Sequence, residues 1–177
     1  MPFTLVLGGA RSGKSALASR LAVESAAPAI FIATAEPRDD EMAARIRRHR
    51  ADRPATWRTI EAPLDLQAAV MTTSPGDFLV LDCLTLWVSN LLEQGDGAAD
   101  IGVAAEHLAH EMAHRRGAVV SNEVGLGIVP ANELARVYRD VLGTVNVIFA
   151  TFAERAVLMV AGRVLDLDRV DPLPRQD

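Results

Sequence analysis

Cysteine, lysine and long apolar runs are all scarce in this chain. The one cysteine, Cys83, excludes an intramolecular disulfide and suits a reducing compartment. It directly follows an apolar run, so a packed thiol is expected there rather than a nucleophile. The longest apolar stretch, residues 145–162, is interrupted by Glu154 and Arg155 and is too short on either side to span a membrane. Excess positive charge is missing too: the net charge is −5, which argues against general nucleic-acid binding. No apolar leader precedes the first apolar strand, so a cytoplasmic location is expected. Nor are there internal repeats or a linker rich in Gly, Ser or Pro. Residues 1–177 therefore read as one domain, with hydrophobic residues making up 50% of the chain and charged residues 23%.

Lysine occurs once, at Lys14; the remaining formal positive charge is arginine. That lysine stands in Gly8-Gly9-Ala10-Arg11-Ser12-Gly13-Lys14-Ser15, directly after the apolar run Phe3 to Leu7 and before a helix-forming stretch from Ala16 to Ala22. The spacing is that of a P-loop. Its glycines let backbone N–H groups turn inward around phosphate oxygens, and the helix opening at Gly13 adds the positive end of its dipole. Lys14 suits a point charge on the β- and γ-phosphates, and the Ser15 hydroxyl suits Mg²⁺.

Further apolar runs read as buried strands: Ala29 to Ala33, Phe78 to Asp82, Ala118 to Ser121 and Ala156 to Val160. Trp57 to Ile60 reads as a short strand. Between them, helices are expected from Asp39-Asp40-Glu41 to about Arg50, from Asp65 to Met71, from Leu84 to Leu92, from Ile101 to Arg116, and from Asn132 to about Ala150. Gln94 to Asp100 reads as a surface loop, and Gly162 with Val164-Leu165-Asp166 as a closing hairpin. The alternation predicts an α/β fold: a mostly parallel sheet, helices on both faces, and a C-terminal hairpin. Ligands of such sheets sit at the C-terminal strand ends, where Gly8, Thr34, Asp82 and Asn122 fall.

Asp82 ends its strand as a Walker B carboxylate would, making it a candidate Mg²⁺ partner; an acid capping the next helix is the plainer alternative. Around His49 stand Arg45, Arg47, Arg48, Arg50 and Arg53. A solvated basic helix face explains that cluster without function. A sharper reading starts from chemistry. Neighbouring cations favour a neutral imidazole, the nucleophilic form. Guanidiniums hold a triphosphate and its charged transition state. Such an imidazole can attack an α-phosphorus and carry a nucleotidyl group. Glu61 is placed to orient the imidazole or the sugar. His107, His110 and His114 share a helical spacing, which reads as a solvated face more readily than as a metal site. The stretch from Ser121 to Pro130 is longer than an ordinary strand–helix connection. Within it, Asn122 and Glu123 are candidates to meet an acceptor substrate.

Several stretches occur in the order of one family: Gly8 to Ser15, Ile32-Ala-Thr34, Asp40-Glu-Met-Ala-Ala-Arg-Ile46, His49-Arg-x-x-Arg-Pro54, Trp57-Arg-Thr-Ile-Glu61, Asn122-Glu-Val-Gly-x-Gly-Ile-Val-Pro130 and Arg139-Asp-x-x-Gly-x-x-Asn146. Together they resemble the bifunctional adenosylcobinamide kinase/adenosylcobinamide-phosphate guanylyltransferase family of cobalamin biosynthesis. The resemblance covers nearly the whole chain. It implies a RecA-like P-loop NTPase fold, with GTP and ATP as co-substrates, Mg²⁺, a corrinoid substrate and a homo-oligomer, expected to be a trimer. A nucleoside triphosphate would phosphorylate adenosylcobinamide. GMP would then pass from GTP, through an enzyme histidine, to adenosylcobinamide phosphate. On this resemblance His49 takes the guanylylated position. Nucleotide contacts fall on Gly8 to Ser15, Ala33, Thr34, Arg50, Ala51, Asp52, Arg53, Glu61 and Asp82. Some members carry glutamate where Asp82 stands and a second histidine where Arg48 stands. A simple P-loop kinase, or a nucleotide-dependent switch without catalysis, would need neither the His49 cluster nor the long loop after Ser121.

Overall fold

The computed structural model describes residues 2–169. Strand β1 (Phe3–Gly8) leads into helix α1 (Lys14–Glu24). Strand β2 (Ala29–Ala33), helix α2 (Asp40–Ala51), strand β3 (Arg58–Glu61) and helix α3 (Leu66–Met71) follow. Then come strand β4 (Phe78–Asp82), helices α4 (Leu84–Gln94) and α5 (Ala98–Met112), strand β5 (Arg116–Val120), helix α6 (Glu133–Phe152), and strands β6 (Arg155–Val160) and β7 (Arg163–Leu167).

The strands form one sheet in the order β3-β2-β4-β5-β1-β6-β7. All pairs are parallel except β6–β7, the antiparallel closing hairpin. The architecture is the expected α/β P-loop NTPase type. Side chains alternate across the pleat. Leu5, Leu7, Ile32, Leu81 and Val119 face a layer made by α3, α4, α5 and α6, with Trp87, Leu108, Leu142 and Phe149 at its centre. The opposite face packs Phe31, Val80 and Val120 against Ala18 and Ala22 of α1. Beside them Val6, Val157 and Met159 meet Leu17. The central strands β1, β4 and β5 are covered on both faces, which is why they read as continuous apolar runs.

Two expected boundaries move. The helix read as Ile101 to Arg116 spans Ala98–Met112, and Arg116 opens β5 instead. The register decides this: Arg116 pairs with Phe78 and Gly117 with Leu79. A Cβ at Gly117 would lie 2.5 Å from the Leu79 carbonyl oxygen, so the strand needs glycine there. The preceding loop is correspondingly short, because Gly95, with φ 98°, stops α4 in the left-handed region and α5 starts at Ala98. His107 and His110 lie on α5, whereas His114 follows its end, its ring 5.2 Å from that of His110. Among the described residues, no helix is long and apolar enough to cross a membrane.

Candidate functional site

The phosphate loop leaves β1 at Gly8, whose φ of +148° is combined with close packing: a Cβ would sit 2.5 Å from the Met159 carbonyl oxygen. Arg11 (φ 55°) and Gly13 (φ 101°) take left-handed backbone, which curls residues 8–13 around the start of α1. Gly9, Ala10 and Arg11 are exposed, while Ser12 and Lys14 are buried. The Lys14 ammonium donates to the Gly9 carbonyl at 2.5 Å and to the Ser12 hydroxyl at 3.4 Å. Burial lowers its pKa, an effect that the nearby Cys83 and Asp82 oppose.

Asp82 ends β4, one strand removed from β1, with β5 between them. Its neighbour Cys83 is bound on both sides by Thr34: the Thr34 hydroxyl donates to the Cys83 carbonyl and accepts from the Cys83 N–H, each at 2.8 Å. Thr34 is fully buried, so its side chain supports the site from behind and does not line it. Desolvation pushes the Cys83 thiol up to about 11, with Asp82 adding to the shift, so it is protonated at neutral pH.

Helix α2 carries the basic cluster and has no buried residue. Its ends are nevertheless well defined. The Asp39 side chain caps the start by accepting from the Met42 N–H at 2.7 Å, and Asp40 and Glu41 complement the dipole. Just beyond the far end, the Arg53 guanidinium lies over the Phe31 ring, 3.2 Å from its centroid, and donates to the Thr59 hydroxyl at 3.3 Å. Arg50 pairs with Glu61 at 3.1 Å. Burial lowers the pKa of Arg53.

Beneath α2 opens a cleft that gathers Ser15 of the phosphate loop, Ala33 of β2, Arg45, His49, Arg50 and Arg53 of the basic segment, Glu61 of β3, and Asp82 with Cys83. Ala51 and Asp52 are exposed and do not line it. Phe31 and Thr59 are site residues that sequence reasoning missed. Phe31 looks like ordinary core until the fold places Arg53 on its ring. Asn90 was missed as well: it is buried on α4 and donates to the Thr34 carbonyl at 3.0 Å and the Pro63 carbonyl at 2.9 Å, which ties the loops after β2 and β3 together. A lone asparagine in the apolar stretch Leu84–Leu92 was the available signal.

The cleft offers a hydroxyl at Ser15 and a carboxylate at Asp82, both hard oxygen donors. Among the described residues there is no group of three or more His, Cys, Asp or Glu side chains able to hold a metal ion. So sparse a donor set fits Mg²⁺, which keeps water and takes substrate phosphate oxygens as its other ligands.

Asn122 and Glu123 lie outside the cleft lining but beside the phosphate loop: the Glu123 N–H donates to the Gly8 carbonyl at 3.2 Å. The chain beyond them exposes Leu126, Ile128 and Val129 to solvent, Ile128 at 97%.

Comparison with known proteins gives the family of the chain as a whole. The family model described as cobinamide kinase / cobinamide phosphate guanyltransferase matches residues 4–167. A protein of Pseudomonas aeruginosa named bifunctional adenosylcobalamin biosynthesis protein CobP is 47% identical over 166 residues, covering 92% of this chain and 95% of the relative. The bifunctional adenosylcobalamin biosynthesis proteins CobU of Salmonella typhimurium and Escherichia coli are 42% and 39% identical, each over 89% of this chain and 95% of their own length. A match spanning the phosphate loop, the basic helix and the loop after β5 means that this chain belongs to the cobinamide kinase / cobinamide phosphate guanyltransferase family.

Proposed function

We propose that this chain is a bifunctional transferase that phosphorylates adenosylcobinamide and then converts the phosphate to adenosylcobinamide-GDP through a guanylylated His49. The observation that carries the reading is that His49, Ser15 and Asp82 line one cleft. The rival reading, a simple P-loop kinase with the basic helix as a lid, would share this cleft but carry no covalent GMP on His49.

In the phosphoryl step, the backbone N–H groups of Gly9 to Gly13 and the Lys14 ammonium hold the β- and γ-phosphates of ATP or GTP. Ser15 and Asp82 would hold Mg²⁺, which would supply charge neutralisation on the phosphates. The acceptor hydroxyl of the corrinoid attacks the γ-phosphorus, its proton is released, and the nucleoside diphosphate leaves. Lys14 stabilises the charge on the transferring group.

In the guanylyl step, an imidazole nitrogen of His49 attacks the α-phosphorus of GTP. A P–N bond forms, the bond to the β-phosphate oxygen breaks, and pyrophosphate departs. Arg45, Arg50 and Arg53 stabilise the five-coordinate phosphorus. A phosphate oxygen of the corrinoid phosphate then attacks the same phosphorus and releases the histidine. The covalent intermediate divides one transfer between two bulky partners into two displacements. Glu61 orients the sugar or the imidazole. One nucleotide site serves both reactions, in line with the one phosphate loop. A homotrimer, in which the exposed apolar side chains after Glu123 find partners, and a cytoplasmic location complete the reading.

GTP labelled at the α-phosphorus tests it. Denatured protein retains a label that is acid-labile and alkali-stable, and His49→Ala retains none. Label persisting in that variant excludes His49, and absence of label from the native protein favours a simple kinase. Equal inhibition of both activities by one non-hydrolysable GTP analogue checks the shared site; independent inhibition overturns it.

A further inference from the structure

Asn122 is held by its backbone from two helices at once. Its N–H donates to the Thr85 hydroxyl in the first turn of α4 at 2.8 Å. Its carbonyl accepts from the Asn146 amide on α6 at 3.0 Å. The next residue is tied to the phosphate loop through the Glu123 N–H and the Gly8 carbonyl. Three consecutive bonds along this short segment therefore go to three different elements. Thr85 is itself steadied by Tyr138 of α6, whose hydroxyl donates to the Thr85 carbonyl at 3.2 Å.

Asn146 is a poor choice for stability alone. It is 5% exposed among Val145, Leu142 and Phe149, and its Oδ1 is buried without a protein partner, as is the Oγ of Ser121 next to Asn122. A buried amide satisfied on one side only costs more than an apolar side chain of similar size. Leucine at 146 would avoid that cost. What leucine cannot do is hold the Asn122 carbonyl.

We propose that Asn146 is a positioning residue for the acceptor half of the reaction. Acting with Thr85, it fixes the Asn122–Glu123 backbone against the phosphate loop so that this segment meets the incoming corrinoid alcohol, the Glu123 carboxylate meanwhile accepting from the Gly125 N–H at 2.6 Å. This rests on the kinase reading above. Because the clamp lies outside the His49 cleft, its loss affects transfer to the acceptor and spares self-guanylylation.

Asn146→Leu and Asn146→Asp in the full-length protein test this. The first removes the donor and relieves the buried carbonyl oxygen; the second sets a carboxylate against the Asn122 carbonyl. Phosphorylation of cobinamide, nucleotide hydrolysed per cobinamide phosphorylated, self-labelling from α-labelled GTP, and Tm are measured on each. The expected result is a KM for cobinamide raised about tenfold or more and a nucleotide KM within twofold. Hydrolysis per product rises, self-labelling stays within twofold, and the Tm of Asn146→Leu is equal or higher. Unchanged KM for cobinamide in both variants overturns the proposal. So does a loss that falls equally on phosphorylation and self-labelling, which marks Asn146 as merely structural. Native protein that phosphorylates cobinamide without self-labelling refutes the histidine step and leaves the KM comparison to decide the clamp; native protein inactive toward cobinamide overturns both.

Discussion

One hydroxyl, that of Thr34, closes hydrogen bonds with both backbone groups of Cys83, 49 residues away in sequence, at 2.8 Å each. It thereby locks the tip of β4, where Asp82 stands, to the end of β2. Thr34→Val keeps the shape and removes both bonds. The expected cost is about 1–3 kcal/mol of stability, since the Cys83 N–H and carbonyl lose their partner. Denaturant unfolding checks this, and phosphoryl transfer falls with it if Asp82 depends on that lock.

The Arg53–Phe31 contact anchors a helix that has no fully buried residue of its own. Arg53→Lys and Phe31→Leu, combined in a double-mutant cycle, are expected to show a coupling of about 0.5–2 kcal/mol in unfolding free energy. Lysine keeps the charge but cannot stack a planar group on the ring. Amide exchange in α2 is expected to accelerate in Arg53→Lys, and the rate of His49 labelling to fall. Additive single effects with unchanged exchange would remove the anchor from the account.

The raised thiol pKa of Cys83 has a definite sign in stability. Its folded value, about 11, lies above the ordinary 9.0, so the folded state holds the proton more tightly. That contribution is complete below pH 9 and is lost as pH rises through 11. The residue keeps some surface on the cleft, so its magnitude is discounted to at most about 2 kcal/mol. Urea unfolding at pH 8 and pH 10.5 is expected to show the native protein losing stability relative to Cys83→Ala. Native protein at pH 8 is also expected to resist thiol reagents until unfolded.

Two neighbouring glycines in the phosphate loop are expected to behave differently. A Cβ at Gly8 meets the Met159 carbonyl oxygen at 2.5 Å and demands an unfavourable φ, whereas a Cβ at Gly9 meets nothing within 4 Å. Gly8→Ala is expected to lower stability by about 2 kcal/mol or more, and Gly9→Ala by less than about 0.5 kcal/mol. Thermal unfolding separates them. Gly9→Ala remains a test of function alone, because its new methyl group meets no protein atom within 4 Å.

The phosphate loop, the order of strands and helices, the closing hairpin and the basic helix around His49 were legible in the sequence. Each is written in residues that are neighbours along the chain. A glycine-rich turn needs only its own few residues, and a strand buried on both faces is apolar throughout whatever it pairs with. The Ala98–Met112 boundary was misjudged because the register of β5 against β4, not helix propensity, claims Arg116 for the sheet.

What the tertiary structure alone decided is which of these pieces meet. Placing β2 beside β4 brings Thr34 to Cys83 and sets Ala33 next to Asp82. Folding α2 back over the strand ends puts Arg53 on Phe31 and His49 in a cleft with Ser15. The packing of α4 and α6 lets Thr85 and Asn146 seize one residue of a loop between them. None of these pairs has a sequence spacing that marks it. Each exists because burying two faces of a twisted sheet leaves few places for the helices, and those places determine which distant side chains become neighbours.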